Sequence, residues 1–272
     1  MSEQLTLSTS EIKQAAKELY EAERQAQPID PISLRFPEMT ISDSYAIQEK
    51  WVRRKIDDGQ RVVGYKIGYT SRAMQKALNI KEPDYGVLLE DMVFADGSEI
   101  EVSQFCDPRI EMELAFILKE ELSGENVTVF DVLNATDYVV PALEIIAARS
   151  HRVHPETQYK RTVKDTIADN AGNAGIIMGG RPIKPDAKDL RWCGGLLYLN
   201  GLLEETGLAA AVLNHPANGV SWVAKRFAPH GVSLKPGQII LSGSFTAPIA
   251  VKAGDTVHAD YGPLGGISCH FV

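Results

Sequence analysis

Residues 108–118 read Pro108-Arg109-Ile110-Glu111-Met112-Glu113-Leu114-Ala115-Phe116-Ile117-Leu118. The run is apolar enough for an interior strand, yet it carries two carboxylates two residues apart. Alternate strand side chains share a face, so Glu111 and Glu113 point one way while Ile110, Met112 and Leu114 point the other. Two ionised carboxylates side by side in an apolar setting repel each other and are costly to desolvate. A hard divalent cation relieves both penalties. The run Val139-Val140-Pro141-Ala142-Leu143-Glu144-Ile145-Ile146 places a third carboxylate, Glu144, in the same kind of surroundings. The three glutamates suggest a metal site built on strands. An edge strand with Glu111 and Glu113 in water is the alternative.

Similar short β-rich runs recur on both sides of this stretch: Val62–Ile67, Val87–Phe94, Tyr138–Ile146, Ala174–Met178, Leu196–Leu199, Gln238–Leu241, Thr256–Ala259 and Ile267–Val272. Helical patterns interrupt them near Phe130–Ala135 and Ala217–Phe227. This is an α+β pattern without regular βαβ alternation. The first 60 residues differ. Ser8-Thr9-Ser10-Glu11 is a capping box, followed by a helical stripe of Ile12, Ala15, Ala16, Leu19 and Tyr20. A second helix is expected after Thr40-Ile41-Ser42-Asp43, with Ala46, Ile47, Trp51 and Val52 inward, and Asp57-Asp58-Gly59-Gln60 breaks it. The expected organisation is a small helical N-terminal part, 1–60, and a β-rich catalytic part, 61–272.

Composition narrows the function. The 272 residues carry 28 Lys+Arg against 36 Asp+Glu, a net charge of −8. That argues against nucleic acid as the partner, because phosphate binding needs a basic surface. Cys106, Cys193 and Cys269 are too scattered for a zinc motif or a disulfide framework, which fits a reducing cytoplasm. The N-terminus has no basic, apolar leader pattern, and no apolar run reaches membrane-spanning length. Gly-x-Ser-x-Gly, a Walker A loop and a dinucleotide fingerprint are all absent.

Several further residues are candidates for chemistry. Gly64-Tyr65-Lys66-Ile67-Gly68 sets one lysine in an apolar, glycine-flanked strand, where it could act as acid, base or electrostatic clamp. A surface lysine on an edge strand is the other reading. Glu82-Pro83-Asp84-Tyr85-Gly86 has turn chemistry, and Asp84 reads first as a turn residue. Gly243-Ser244-Phe245-Thr246 ends an apolar run in small hydroxyls; Ser244 is either a donor for a carboxylate or part of a polar turn. Arg149-Ser150-His151-Arg152, with Arg161 beyond it, is a basic loop in an acidic chain. It could grip a second anionic group, or be a solvated charge run.

Taken together, Gly64–Gly68, Glu82–Gly86, Pro108–Glu113 and Pro141–Glu144 resemble the fumarylacetoacetate hydrolase superfamily, in its branch of 2-oxo acid hydratases and decarboxylases from meta-cleavage catabolism of aromatic compounds. The resemblance covers nearly the whole chain. It implies a fumarylacetoacetase C-terminal-like mixed β-sandwich or roll with a small helical N-terminal part. It implies that Glu111, Glu113 and Glu144 hold one Mg²⁺ or Mn²⁺, that Lys66 handles a proton or stabilises an enolate, and that Asp84 tunes Lys66 or orients water. Ser244, Arg149, Arg152 and Arg161 are the expected substrate-binding residues. The expected substrate is a small dicarboxylate, a seven-carbon 2-oxo-enedioic acid to which water is added after double-bond isomerisation. A homo-oligomer is the expected assembly. A 2-oxo-enedioate decarboxylase or a pentadienoate hydratase remains open. A C–C hydrolase of the superfamily is disfavoured, because the histidine its water-activating dyad needs is missing between Lys66 and Glu111; the first histidine is His151. A non-catalytic metal-binding partner is the remaining alternative.

Overall fold

A computed structural model of the chain describes residues 4–77 and 79–272. The leader-pattern reading at the N-terminus falls partly on residues 1–3, outside the described residues. Among the described residues no helix is long and apolar enough to cross a membrane.

The N-terminal part forms helices Thr9–Gln25 and Ile41–Asp57, each opened by a capping box, Ser8 with Glu11 and Thr40 with Asp43. The cap side chain accepts from the third helical amide while the acidic side chain accepts from the cap amide, so two otherwise unpaired donors are satisfied at each start. Ile12, Leu19, Ile47 and Trp51 are buried against one another and against Val87 and Leu89 of the sheet behind them.

The strands are β1 (Val62–Gly68), β2 (Asp84–Leu89), β3 (Val93–Ala95), β4 (Glu99–Ile100), β5 (Arg109–Leu118), β6 (Thr136–Ile146) and β7 (Asn173–Met178), then β8 (Gly194–Leu199), β9 (Leu202–Leu208), β10 (Ile239–Leu241), β11 (Ile249–Ala250), β12 (Thr256–Asp260) and β13 (Gly266–Phe271). The larger, mixed sheet runs β2-β1-β10-β5-β6-β7-β3, with β11 beside β5; the smaller runs β4-β13-β12-β8-β9. Ile110, Met112, Leu114 and Phe116, on one face of β5, join Val257, Ile267 and Phe271 of the smaller sheet in the main core. Burial of a side chain of this size contributes about 1.5–3 kcal/mol, so the even-numbered face of β5 fixes the strand. The odd-numbered face, carrying Glu111, Glu113 and Ala115, turns to the other side.

Two sequence readings are corrected. Asp84 is not in a turn: Asp84–Leu89 is a strand, paired antiparallel to β1 with Asp84 opposite Gly68. The extended run expected over 87–94 is split by a single helical turn, Glu90–Met92. The hairpin β8–β9 adds a strand outside the expected runs; it turns at Asn200-Gly201, both at positive φ (52° and 80°), the dipeptide that tight hairpin turns demand.

Candidate active site

β5 and β6 pair with Glu111 directly opposite Glu144 and Glu113 opposite Ala142. A ligand oxygen from each of Glu111, Glu113 and Glu144 lies within 4.8 Å of the others. Glu113 and Glu144 are buried, and Glu111 is half-buried. Like charges opposed across a strand pair are destabilising. Burial first, and the neighbouring glutamates' charge second, push Glu111 and Glu113 above the ordinary glutamate range; Glu144 is raised by burial alone, against the opposing charge of Lys66.

Lys66 reaches the cluster from β1, with Nζ 3.3 Å from Glu144 Oε1. It is interior, flanked by β2 and β10, not on an edge strand. Burial would push its ammonium down, but the charges of Glu144, Asp84, Glu111 and Glu113 outweigh burial and raise it. Asp84 lies beside it. A Cβ on Gly68 would sit 2.2 Å from Asp84 Oδ1 and 3.3 Å from Lys66 Nζ, so a side chain there would drive the two apart. A Cβ on Gly86 would sit 2.4 Å from Asn170 O and 3.3 Å from Lys66 Cγ. The glycines are therefore required by close approach. Burial pushes Asp84 up to about 6, with Lys66 opposing it, so its carboxyl is largely ionised at neutral pH.

The donor set fits a divalent cation. Both oxygens of Glu144 and both of Asp84 are buried without an aligned hydrogen bond, although such oxygens ordinarily find donors. Lys66 faces Glu144 as an ion pair rather than as an aligned donor. Glu113 accepts one bond, from Gly243 N at 2.8 Å. Hard oxygen ligands in this number suit Mg²⁺ or Mn²⁺.

The other residues singled out in the sequence divide. Ser244 borders Glu111, but its hydroxyl lies 3.1 Å from Met112 O and 2.9 Å from Thr246 O, so it also closes its own turn. Arg152 and Arg161 bear on the cluster electrostatically, the charge of Arg152 favouring ionised Glu111 and that of Arg161 ionised Asp84. Arg149 does not. Its guanidinium is buried, 3.1 Å from Asp169 Oδ1, 3.0 Å from Glu23 Oε1 and 3.0 Å from Asn173 O. It ties the N-terminal helices to the sheet, which corrects the expectation that it meets substrate; a cation with two buried counter-charges has little left for a third.

Two structural supports were not foreseen. Asp169 holds Arg149 and Arg161 together, and Asn170 brackets β2 through Val87, donating to its carbonyl at 2.9 Å and accepting from its amide at 2.8 Å. Asn170 and Ala171 both take positive φ. The helix that presents them, Val163–Ala168, was signalled by Thr162-x-x-Asp165, a capping box.

Three carboxylates with a buried lysine against them, inside a curled mixed sheet, make a site that could hold a divalent cation. Residues 60–272 match the Fumarylacetoacetate (FAA) hydrolase C-terminal family, and the chain belongs to it. Among individual proteins, it is 60% identical over 257 residues to 2-oxo-hept-4-ene-1,7-dioate hydratase of Escherichia coli, covering 94% of this chain and 96% of that one. It is 39% identical over 259 residues to 2-keto-4-pentenoate hydratase of Paraburkholderia xenovorans (strain LB400), covering 95% and 94%. The structure of 4-oxalocrotonate decarboxylase from Pseudomonas putida G7, complexed with magnesium and adipate, superposes with a TM-score of 0.93 at 33% identity, covering 99% and 100% of the two chains.

Proposed function

We propose that this chain is a divalent-metal-dependent hydro-lyase that adds water to 2-oxo-hept-4-ene-1,7-dioate, giving 4-hydroxy-2-oxoheptanedioate in the meta-cleavage breakdown of a 4-hydroxyphenylacetate-type aromatic. The observation that carries this reading is the cluster of Glu111, Glu113 and Glu144 with Lys66 and Asp84 against it, in a chain 60% identical to a hydratase for that diacid.

Glu111, Glu113 and Glu144 would hold Mg²⁺ or Mn²⁺. When bound, the cation supplies positive charge that stabilises negative charge developing on the 2-oxo oxygen. Lys66 stays cationic through the neutral range and stabilises the same charge by hydrogen bonding and field. Asp84, ionised above about pH 6, would take the proton from C3 of the substrate. Returning a proton at C5 leaves the double bond between C3 and C4, conjugated with the ketone, and makes C4 electrophilic. Water oxygen then bonds to C4 and a proton to C3, so atoms balance with one water consumed. Ser244 steadies Glu111 from the neighbouring turn.

The decarboxylase alternative has its own support, the likeness to 4-oxalocrotonate decarboxylase. Incubating the metal-loaded protein with the seven-carbon diacid separates the two: the expected product retains all carbons and gains water. Release of CO₂ without hydrated product would overturn the reading.

A homo-oligomer and a cytoplasmic site of action belong to the same proposal. Free, buried Cys106, Cys193 and Cys269 suit a reducing compartment. Exposed Trp192, Leu202, Leu203 and Leu208, on and beside edge strand β9, suit coverage by another copy. A monomer in sedimentation velocity would refute the assembly.

A further inference from the structure

The basic segment after β6 is not a loose charge run. Val153 bridges Lys160 antiparallel, His154 N donates to Tyr159 O at 2.8 Å, and Arg161 N donates to Arg152 O at 3.0 Å. Arg152 and Arg161 therefore stand opposite each other across a short hairpin, with side chains on one face. Like charges in that position destabilise the pairing unless an anion lies against them.

The counter-charges present do not balance them. Arg152 Nε lies 2.5 Å from Asp107 Oδ2. Arg161 touches Asp169 through one nitrogen, at 3.3 Å, and Asp169 is shared with Arg149. Arg109, on the same β5 face as Glu111, adds a third guanidinium, its Nε buried without a hydrogen-bond partner. Arg161 is the inner member of the pair, its side chain 9% exposed against 23% for Arg152. Its guanidinium lies against the 170–172 turn, where a Cβ on Gly172 would sit 3.9 Å from Arg161 Nη2, and Asn170 of the same turn approaches Gly86 beside Lys66. A guanidinium held by one weak contact keeps most of its donor fork free for a second carboxylate.

We propose that Arg161, assisted by Arg152 across the hairpin, binds the distal carboxylate of a 2-oxo dioic acid and so separates the seven-carbon diacid from a five-carbon monocarboxylate. This rests on the hydratase reading above, which gives the substrate its second carboxylate. Asp169 is a positioning residue that keeps Arg161 turned to the site.

The test is the ratio of kcat/KM for 2-oxo-hept-4-ene-1,7-dioate to that for 2-oxopent-4-enoate, measured on metal-loaded protein. Arg161→Met should lower the ratio about ten- to a hundredfold, the worth of one charge-assisted hydrogen bond to a carboxylate; Arg152→Met should lower it less. Arg161→Lys, which keeps the charge but loses the fork, should fall between wild type and Arg161→Met, and it carries the same test if the methionine variant does not fold. Inhibition by adipate relative to hexanoate should weaken in the same order. If wild type fails to hydrate the diacid, the hydratase reading falls. If wild type hydrates it and every variant keeps the wild-type ratio, the hydratase reading stands and the clamp is refuted.

Discussion

Replacing Arg149 with methionine separates two roles that the sequence could not tell apart. In the structure its side chain is 3% exposed, paired with Asp169 and Glu23, bonded to Asn173 O, and its guanidinium lies 5.0 Å from the centre of the Trp51 ring. Breaking a buried ion pair by removing one partner costs about 3–5 kcal/mol, because the other charge is left without compensation. Here Asp169 keeps Arg161 and the Arg149 amide at 2.9 Å, and Glu23 keeps Lys55, so the lower end applies, about 3 kcal/mol. The lost stacking on Trp51 adds about 0.5–1 kcal/mol, and methionine fills most of the stem's volume. The total is about 3–4 kcal/mol. At about 2–4 °C per kcal/mol for a chain approaching this size, Tm should fall by roughly 10 °C. Calorimetry reads the stability, and the diacid-to-monocarboxylate ratio of kcat/KM reads the site. The expected result is a large loss of Tm with the wild-type ratio retained. A Tm within about 2 °C of wild type, together with a lost diacid preference, would show that Arg149 meets substrate and that its buried contacts are worth little.

Further outcomes follow from the site and the helix caps. Glu144→Gln, Glu113→Gln or Glu111→Gln should each weaken Mg²⁺ or Mn²⁺ binding in calorimetric titration and nearly abolish turnover; full turnover in excess chelator would reject the metal assignment. Lys66→Met should still bind metal, since it removes a neighbouring positive charge rather than a ligand, while solvent-deuterium exchange at C3 of the substrate slows; exchange at the wild-type rate would remove Lys66 from the chemistry. Asp43 supplies a pH test. Burial opposes its ionisation, but the amides of Thr40 and Leu7 and the hydroxyls of Thr6 and Thr40 prevail, holding it at about 2 against an ordinary 3.8. A depressed carboxylate stabilises the fold above its unfolded pKa and ceases to do so as pH falls through its folded one. About 2 kcal/mol should therefore be lost between roughly pH 4 and pH 2. Urea midpoints across that range should lose this acid slope in Asp43→Asn; an unchanged slope would assign it to other groups.

Local sequence settled what depends on short spacing. The capping boxes at Ser8 and Thr40 fix the starts of two helices because each closes within four residues. The period of two along β5 places Glu111 and Glu113 on one face and the core residues on the other. The glycines of Gly64–Gly68 mark a backbone that something must approach. These features suggested a metal-binding α+β protein and most of its polar residues. Asp84 was misplaced because Pro83 and Gly86 carry turn chemistry at short range, whereas pairing with β1 and the close approach of Asn170 O make Gly86 part of a strand.

Tertiary structure alone decided which charges meet. β1 and β6 are separated by β10 and β5, a span of roughly 14 Å in a flat sheet at about 4.8 Å per strand. The larger sheet curls, and the long Lys66 side chain crosses what remains to reach within 3.3 Å of Glu144. The arginines show the same limit of sequence. Arg149, Arg152 and Arg161 lie within 13 positions of one another and carry the same side chain. One is committed to Glu23, 126 positions away, another shares its charge with half-exposed Asp107, and the third keeps a single weak contact with Asp169. Residue type and spacing fix what a side chain can do; the partners that long-range folding brings to it fix what it is free to do.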